Sequence, residues 1–95
     1  MTEHEVVRRF ARAEGRVQGV GFRFFVQQTA MELELTGWVR NESDGSVTME
    51  VQGDMSVIDT MMQKLKAGNG FCKVSNLILE GRDVRADEHS FDIRY

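Results

Sequence analysis

The sequence predicts an α+β sandwich in which two helices lie on one face of a mainly antiparallel sheet of four to five strands. Two stretches place apolar residues at helical spacing, and several shorter stretches alternate or are continuously apolar. The two kinds are interleaved in the order strand, helix, strand, strand, helix, strand, strand. With 95 residues and no internal repeat, the chain reads as one domain, residues 1–95, able to bury one modest core.

The first five residues are polar and are expected to be loosely held. Val6 to Glu14 reads as the first strand, interrupted by Arg8, Arg9 and Arg12. Phe10 and Arg12 alternate with Ala11 and Ala13, and the small residues suit a face covered by helices, but alternation alone leaves the inner face open. The first helix is expected over Phe22 to Leu35, with Phe22, Phe25, Val26, Thr29, Ala30 and Leu33 on its apolar side and Gly37 as its stop signal.

Trp38 to Glu42 and Ser46 to Gln52 read as two strands joined by Ser43-Asp44-Gly45. A two-residue turn would set Asn41 opposite Thr48 and bury Arg40 among apolar neighbours. A three-residue loop with Gly45 in the left-handed conformation sets Asn41 opposite Val47 and Val39 opposite Met49. The second register is preferred because directly opposed residues share a face, which groups Val39, Val47, Met49 and Val51 with Asn41 at the end.

The second helix is expected over Asp54 to Lys66, with Ser56 and Asp59 in capping-box spacing, an apolar side of Val57, Ile58, Met61, Met62 and Leu65, and Gly68 as its end. Lys73 to Glu80 follows as a strand. Gly81 to His89 is charged and loop-like, and Ser90 to Tyr95 alternates Phe91 and Ile93 against Asp92 and Arg94 as a short closing strand. This order is the ferredoxin-like arrangement. In it, a strand–helix–strand unit within one sheet has its strands parallel, so Asn41 comes to the same edge as the end of the first strand.

That first strand ends in Gly15-Arg16-Val17-Gln18-Gly19-Val20-Gly21-Phe22-Arg23, with three glycines within seven residues. Glycine lets the backbone curl and turn successive N–H groups toward one point, and the helix that follows adds the positive end of its dipole. Arg23, in the first helical turn, carries a planar fork of donors suited to phosphate or carboxylate. The pattern is neither a P-loop, which needs Lys-Ser/Thr after the last glycine, nor a dinucleotide fingerprint, which needs glycine where this chain has Phe24. A plain glycine-rich chain reversal and an anion cradle both fit these residues.

The string GRVQGVGFR, followed after a helix by GWVRNESDGSVTMEVQG (Gly37 to Gly53) and more weakly by Phe91-Asp92-Ile93-Arg94-Tyr95, resembles the acylphosphatases, which hydrolyse the carboxyl–phosphate bond of acyl phosphates. Where that family commonly has a Gly-Pro step, this chain reads Gly68-Asn69-Gly70-Phe71, which leaves the shape of that loop open. The resemblance implies the same fold, a cradle formed by Gly15 through Arg23, Arg23 as the phosphate-binding catalytic residue and Asn41 as the residue that orients water. An amide can hold water by its carbonyl but cannot act as a general base. That suffices for an acyl phosphate, whose carboxylate leaves readily through a loose transfer state. The implied partners are a small acyl phosphate and, as product and inhibitor, inorganic phosphate. Which acyl group is carried is not legible.

Composition narrows the alternatives. A net charge of −3 with interleaved signs disfavours a broad nucleic-acid footprint. Single Cys72 allows no internal disulfide and suits a small core residue. With no membrane-length apolar segment, a cytosolic monomer needing no cofactor and no metal is expected. His4 and His89 are expected on the solvated surface, and Arg16 and Arg40 flank the candidate site. Two rival classes remain. In an RNA-binding ferredoxin-like module, the aromatics of Gly21-Phe22-Arg23-Phe24-Phe25-Val26 would have to lie on a central strand. A non-catalytic binding domain, like the acylphosphatase-like segment of larger carbamoyl-transfer maturation proteins, is disfavoured by the short chain.

Overall fold

In the first strand the alanines face inward. The computed structural model describes residues 5–95, and β1 (Val6–Arg16) places Ala11 and Ala13, both completely buried, against the helices. Arg8, Phe10 and Arg12 therefore point to the opposite face. The expectations for residues 1–4, including His4, lie outside the described residues. Seven elements follow in the expected order: β1, α1 (Phe22–Glu32), β2 (Thr36–Asn41), β3 (Val47–Asp54), α2 (Met55–Ala67), β4 (Lys73–Arg82) and β5 (Phe91–Arg94). The sheet runs β4-β1-β3-β2-β5. Its pairs are antiparallel except β2 with β5, which is parallel.

The core lies between this sheet and the two helices. Val26 and Ala30 of α1 and Ile58, Met61 and Leu65 of α2 meet Val39, Val47, Met49 and Val51 of the sheet, all at most 2% exposed. Each side chain of Val to Met size contributes about 1.5–3 kcal/mol by leaving water. No helix among the described residues is long and apolar enough to cross a membrane.

The hairpin takes the three-residue loop. Asn41 pairs with Val47 and Val39 with Met49, and Gly45 sits at φ 95°, with its N–H donating to the Glu42 carbonyl at 3.2 Å. A side chain at that φ would be strained, so glycine sets the loop and hence the register.

Two helix ends differ from the expectation. α1 stops at Glu32 because Glu34 turns left-handed at φ 59°; its N–H bonds the Met31 carbonyl at 3.1 Å, and that of Leu35 bonds Ala30 at 2.8 Å. These two bonds close the helix as a Schellman motif, with glutamate where glycine is usual. Gly37 is thus part of β2 and not the stop signal. α2 is capped by Asp54, whose carboxylate accepts from the Ser56 N–H at 2.9 Å and from its hydroxyl at 2.7 Å. The Ser56 hydroxyl is occupied there, so no Ser56–Asp59 box forms. Gly68 does end α2, with Lys64 and Lys66 in the last turn complementing the dipole.

The charged segment 83–90 connects the two outer strands and so has to cross the sheet. It does so over the face that carries no helix. There Arg8 is 1% exposed, bonded to Glu50 and Glu88, and Gln52 accepts from the Arg85 N–H and donates to the Arg85 carbonyl, both at 2.8 Å. Nothing in the sequence pattern singled out Arg8 as a buried group.

Candidate active site

The topology gathers four chain ends at one edge. β1 and β2 are parallel with β3 between them, β5 is parallel to β2, and α1 begins where β1 leaves off. The last residues of three strands and the first turn of α1 therefore surround the loop 17–21. Val17 anchors that loop in the core. Gln18 Nε2 donates to the carbonyls of Glu42 and Ser46 at 2.7 and 2.8 Å, fastening the loop to the β2–β3 hairpin. From the other side, Asn69 Nδ2 donates to the Val20 carbonyl at 3.3 Å. The Asn69 Oδ1 accepts from the N–H groups of Phe71 and Cys72 at 2.9 Å each, so the Gly68–Phe71 loop turns on an asparagine.

Gly21, at φ 74°, is the N-cap of α1 in the left-handed conformation. It has no side chain to cap the helix, and no acid lies in the first turn. The positive end of the α1 dipole is therefore left without an anion from its own cap or first turn.

Arg23 and Asn41 open onto one cleft of about 330 Å³, together with Gly19 and Gly21, and with Phe24, Ile93 and Tyr95 at its apolar side. Arg23 is half-buried; its Nη1 donates to the Arg94 carbonyl at 3.2 Å, and its guanidinium lies 4.7 Å from the centre of the Tyr95 ring. It has no carboxylate partner among the described residues. Asn41 Oδ1 is buried and lacks any hydrogen-bond partner, the one such side-chain atom among the described residues. An orphaned acceptor of this kind costs about 1–3 kcal/mol until a donor reaches it.

The other expected cradle residues divide. Val17, Gly19, Gly21 and Phe22 border the cleft, while Gln18 and Val20 brace the loop. Gly15 and Arg16 do not join them: β1 runs two residues further than expected, and they pair with Val74 and Lys73 of β4. A Cβ on Gly15 would stand 2.3 Å from the Lys73 carbonyl oxygen, so this glycine permits strand approach and not anion contact. Arg40 turns to the helix-free face, over Trp38 and 3.1 Å from Glu42. Phe22, Phe24 and Phe25 lie on α1 and not on a central strand.

Nearby carboxylates are matched elsewhere. The Thr48 hydroxyl, then Arg40, holds the Glu42 carboxyl below its usual range. The Ser46 hydroxyl and N–H, with Arg12, hold the Asp44 carboxyl well below its own. Neither competes for Arg23. Sequence reasoning missed Gln18 and Asn69 as braces and Phe24, Ile93 and Tyr95 as cleft walls; of these, Gln18 and the stretch ending at Tyr95 carried a signal, through the family match of their strings.

Comparison with known proteins points to one family. The Acylphosphatase family model matches residues 9–93. An acylphosphatase of Geobacillus kaustophilus (strain HTA426) is 54% identical over 82 residues, covering 86% of this chain and 87% of its own. Solved structures of acylphosphatases from Bacillus subtilis and Coxiella burnetii superpose with TM-scores of 0.88 and 0.89 at 34% and 35% identity, covering 96% and 99% of this chain and 100% of each of theirs. By sequence and by fold, the chain belongs to the acylphosphatase family.

Proposed function

We propose that this chain hydrolyses the carboxyl–phosphate bond of small acyl phosphates in the cytosol, with Arg23 as the phosphate ligand and Asn41 as the holder of the attacking water. The observation that carries this reading is that two residues with unmet needs line one cleft, Arg23 without an acid among the described residues and Asn41, whose buried Oδ1 lacks a donor. A phosphoryl group satisfies the first, together with the uncapped turn of α1. A water molecule satisfies the second by donating one O–H to the amide carbonyl, which leaves its lone pair free for attack.

In the reaction the water oxygen bonds to phosphorus as the bond from phosphorus to the acyl oxygen breaks. The electron pair departs with the carboxylate, and a proton of the water passes to a phosphoryl oxygen. No residue has to serve as a strong base, because the leaving group is a good one and the loose transfer state is governed by positioning and charge. The test is release of inorganic phosphate from acetyl phosphate, carbamoyl phosphate and an acyl phosphate of the bisphosphoglycerate type, with a phosphate monoester as control. Turnover of the acyl phosphates alone is expected, with inorganic phosphate as a competitive inhibitor. Equal turnover of the monoester, or none of any substrate, overturns the reading.

A further inference from the structure

The acceptor that holds Arg23 belongs to the least supported strand. β5 has four residues and pairs on one side only, with β2. Additional ties come from the Gly37 N–H to the Ser90 carbonyl at 3.0 Å, from Gln27 Nε2 to the Phe91 carbonyl at 2.9 Å, and from the Arg94 guanidinium lying 4.8 Å from the Trp38 ring centre. What precedes β5 is the segment 83–90. Its ends lie on opposite edges of a five-stranded sheet, four interstrand steps or roughly 19 Å apart. Nine residue steps reach about 30 Å at full extension, so this strap has little slack once it follows the sheet surface.

One rung of the sheet receives it. Arg8 pairs with Gln52, and Gln52 with Thr36, so the three side chains stand in a row on the helix-free face. Gln52 holds the strap at the Arg85 backbone. Glu88 holds it nearer β5: its Oε1 and Oε2 accept from Arg8 Nη1 and Nη2 at 2.8 and 3.1 Å. Arg8 is fixed in turn by Glu50, at 2.5 Å from its Nε. Glu88 is therefore clamped to Arg8 of β1, two residues before the Ser90 carbonyl begins the β2–β5 pairing.

We propose that Glu88 is a positioning residue for Arg23, acting from the far face of the sheet through the strap and β5. The inference rests on the reading of Arg23 as the phosphate ligand. With Glu88 clamped, β5 is delivered in register, and the Arg94 carbonyl and the Tyr95 ring hold the guanidinium ready over the cleft. With the clamp lost, the end of β5 frays, and Arg23 has to be ordered by the phosphate itself. That ordering weakens anion binding more than it slows the chemical step, by about tenfold in affinity for one long side chain.

The experiment compares Glu88→Ala with two core substitutions on α2, Ile58→Val and Ile58→Ala, that bracket its loss of Tm. Measured on each are the competitive inhibition constant of inorganic phosphate, KM and kcat for acetyl phosphate, and amide exchange of β5. The expected result is a rise of about tenfold in the phosphate inhibition constant and in KM for Glu88→Ala, with kcat less affected and β5 exchange accelerated. The Ile58 variants should lose stability with the inhibition constant unchanged. If Glu88→Ala does not fold, Glu88→Gln, which keeps one acceptor for the Arg8 fork, is read in the same way. An unchanged inhibition constant in the folded Glu88 variant overturns the proposal, as does an equal rise in the Ile58 variants. A wild-type enzyme that phosphate does not inhibit would instead remove the assignment of Arg23, a separate failure.

Discussion

Two arginines, Arg8 on the helix-free face of the sheet and Arg23 in the first turn of α1, show how a polar cluster declares its purpose. Arg8 is almost wholly buried, and every branch is matched: Nε by Glu50, Nη1 by Gln52 and Glu88, Nη2 by Glu88. Arg23 faces a cleft with one carbonyl and one ring for company. The amides beside them repeat the contrast. Gln52 is satisfied at both ends, whereas Asn41 keeps a buried oxygen without a donor. A cluster closed on itself lowers the free energy of the folded chain alone; one left open lowers it fully only when something binds. Burial opposes ionisation of Arg8 and Glu88, yet their polar and charged partners together outweigh it, raising the Arg8 pKa through Glu88 and Glu50 and lowering that of Glu88 chiefly through Arg8.

The largest expected effect follows from exchanging the charge at each site. Arg23→Gln should fold with an unchanged urea midpoint and lose activity on the order of 10²-fold or more, since charge-assisted bonds of about 1.5–3 kcal/mol each are removed. Arg8→Gln should instead destabilise the fold by about 3–5 kcal/mol, because Glu50 and Glu88 are left without their counterion. Urea titrations and phosphate-release rates on both variants decide the matter. Near-normal turnover by folded Arg23→Gln would sink the assignment.

Asn41 sharpens the contrast within the cleft. Asn41→Ala leaves Arg23 and the loop amides in place, so phosphate inhibition should change little while kcat falls on the order of 10²-fold, the cost of a misplaced reactant. Asn41→Asp adds a base but sets a negative charge beside the phosphate, and it should not restore the rate. Loss of phosphate binding with kcat unchanged in the Ala variant would make Asn41 a ligand of the anion.

The closed cluster should also announce itself in acid. The folded pKa of Glu88 lies below the unfolded value, about 4.3 for glutamate, so its stabilisation is complete above that value and disappears as pH falls through the folded pKa. Glu88→Gln should therefore lower stability at neutral pH and flatten its decline on acidification, as followed by urea unfolding at stepped pH. A decline as steep as in the wild type would mean that Glu88 carries no part of it.

The cleft was more legible than the cluster, and the reason is chemical. Glycine spacing, a helical period opening on Arg23, and a hairpin loop that fixes Asn41 opposite Val47 are all local patterns, and topology then brings their ends to one edge. Arg8 gave no such sign, because its partners Glu50 and Glu88 lie 42 and 80 residues away and an arginine in a strand ordinarily reads as solvated. Gly15 is ambiguous in sequence for a related reason. A glycine required by a neighbouring backbone, here the Lys73 carbonyl, looks the same in sequence as one required by an anion.

The smallest expected effect concerns the two ends of α1, which both turn left-handed, through Gly21 at φ 74° and Glu34 at φ 59°. Only the first end borders the cleft. At Glu34 the side chain is exposed and the Schellman bonds are made by the backbone, so replacing it removes strain and no contact of consequence. Relief of left-handed strain is worth about 1–2 kcal/mol for a residue with a Cβ, and the greater freedom of glycine in the unfolded chain returns part of it. Glu34→Gly should thus raise stability by about 0.5 kcal/mol and leave the phosphate inhibition constant unaltered. Gly21→Ala has open space for its methyl group, yet it should suffer the same strain in reverse and weaken phosphate binding as well, because the first turn of α1 must shift to relieve it. The pair separates conformational cost, common to both ends, from anion binding, which belongs to one. A change in phosphate affinity in Glu34→Gly equal to that in Gly21→Ala would show that the helix moves as a unit and that its far end is part of the site.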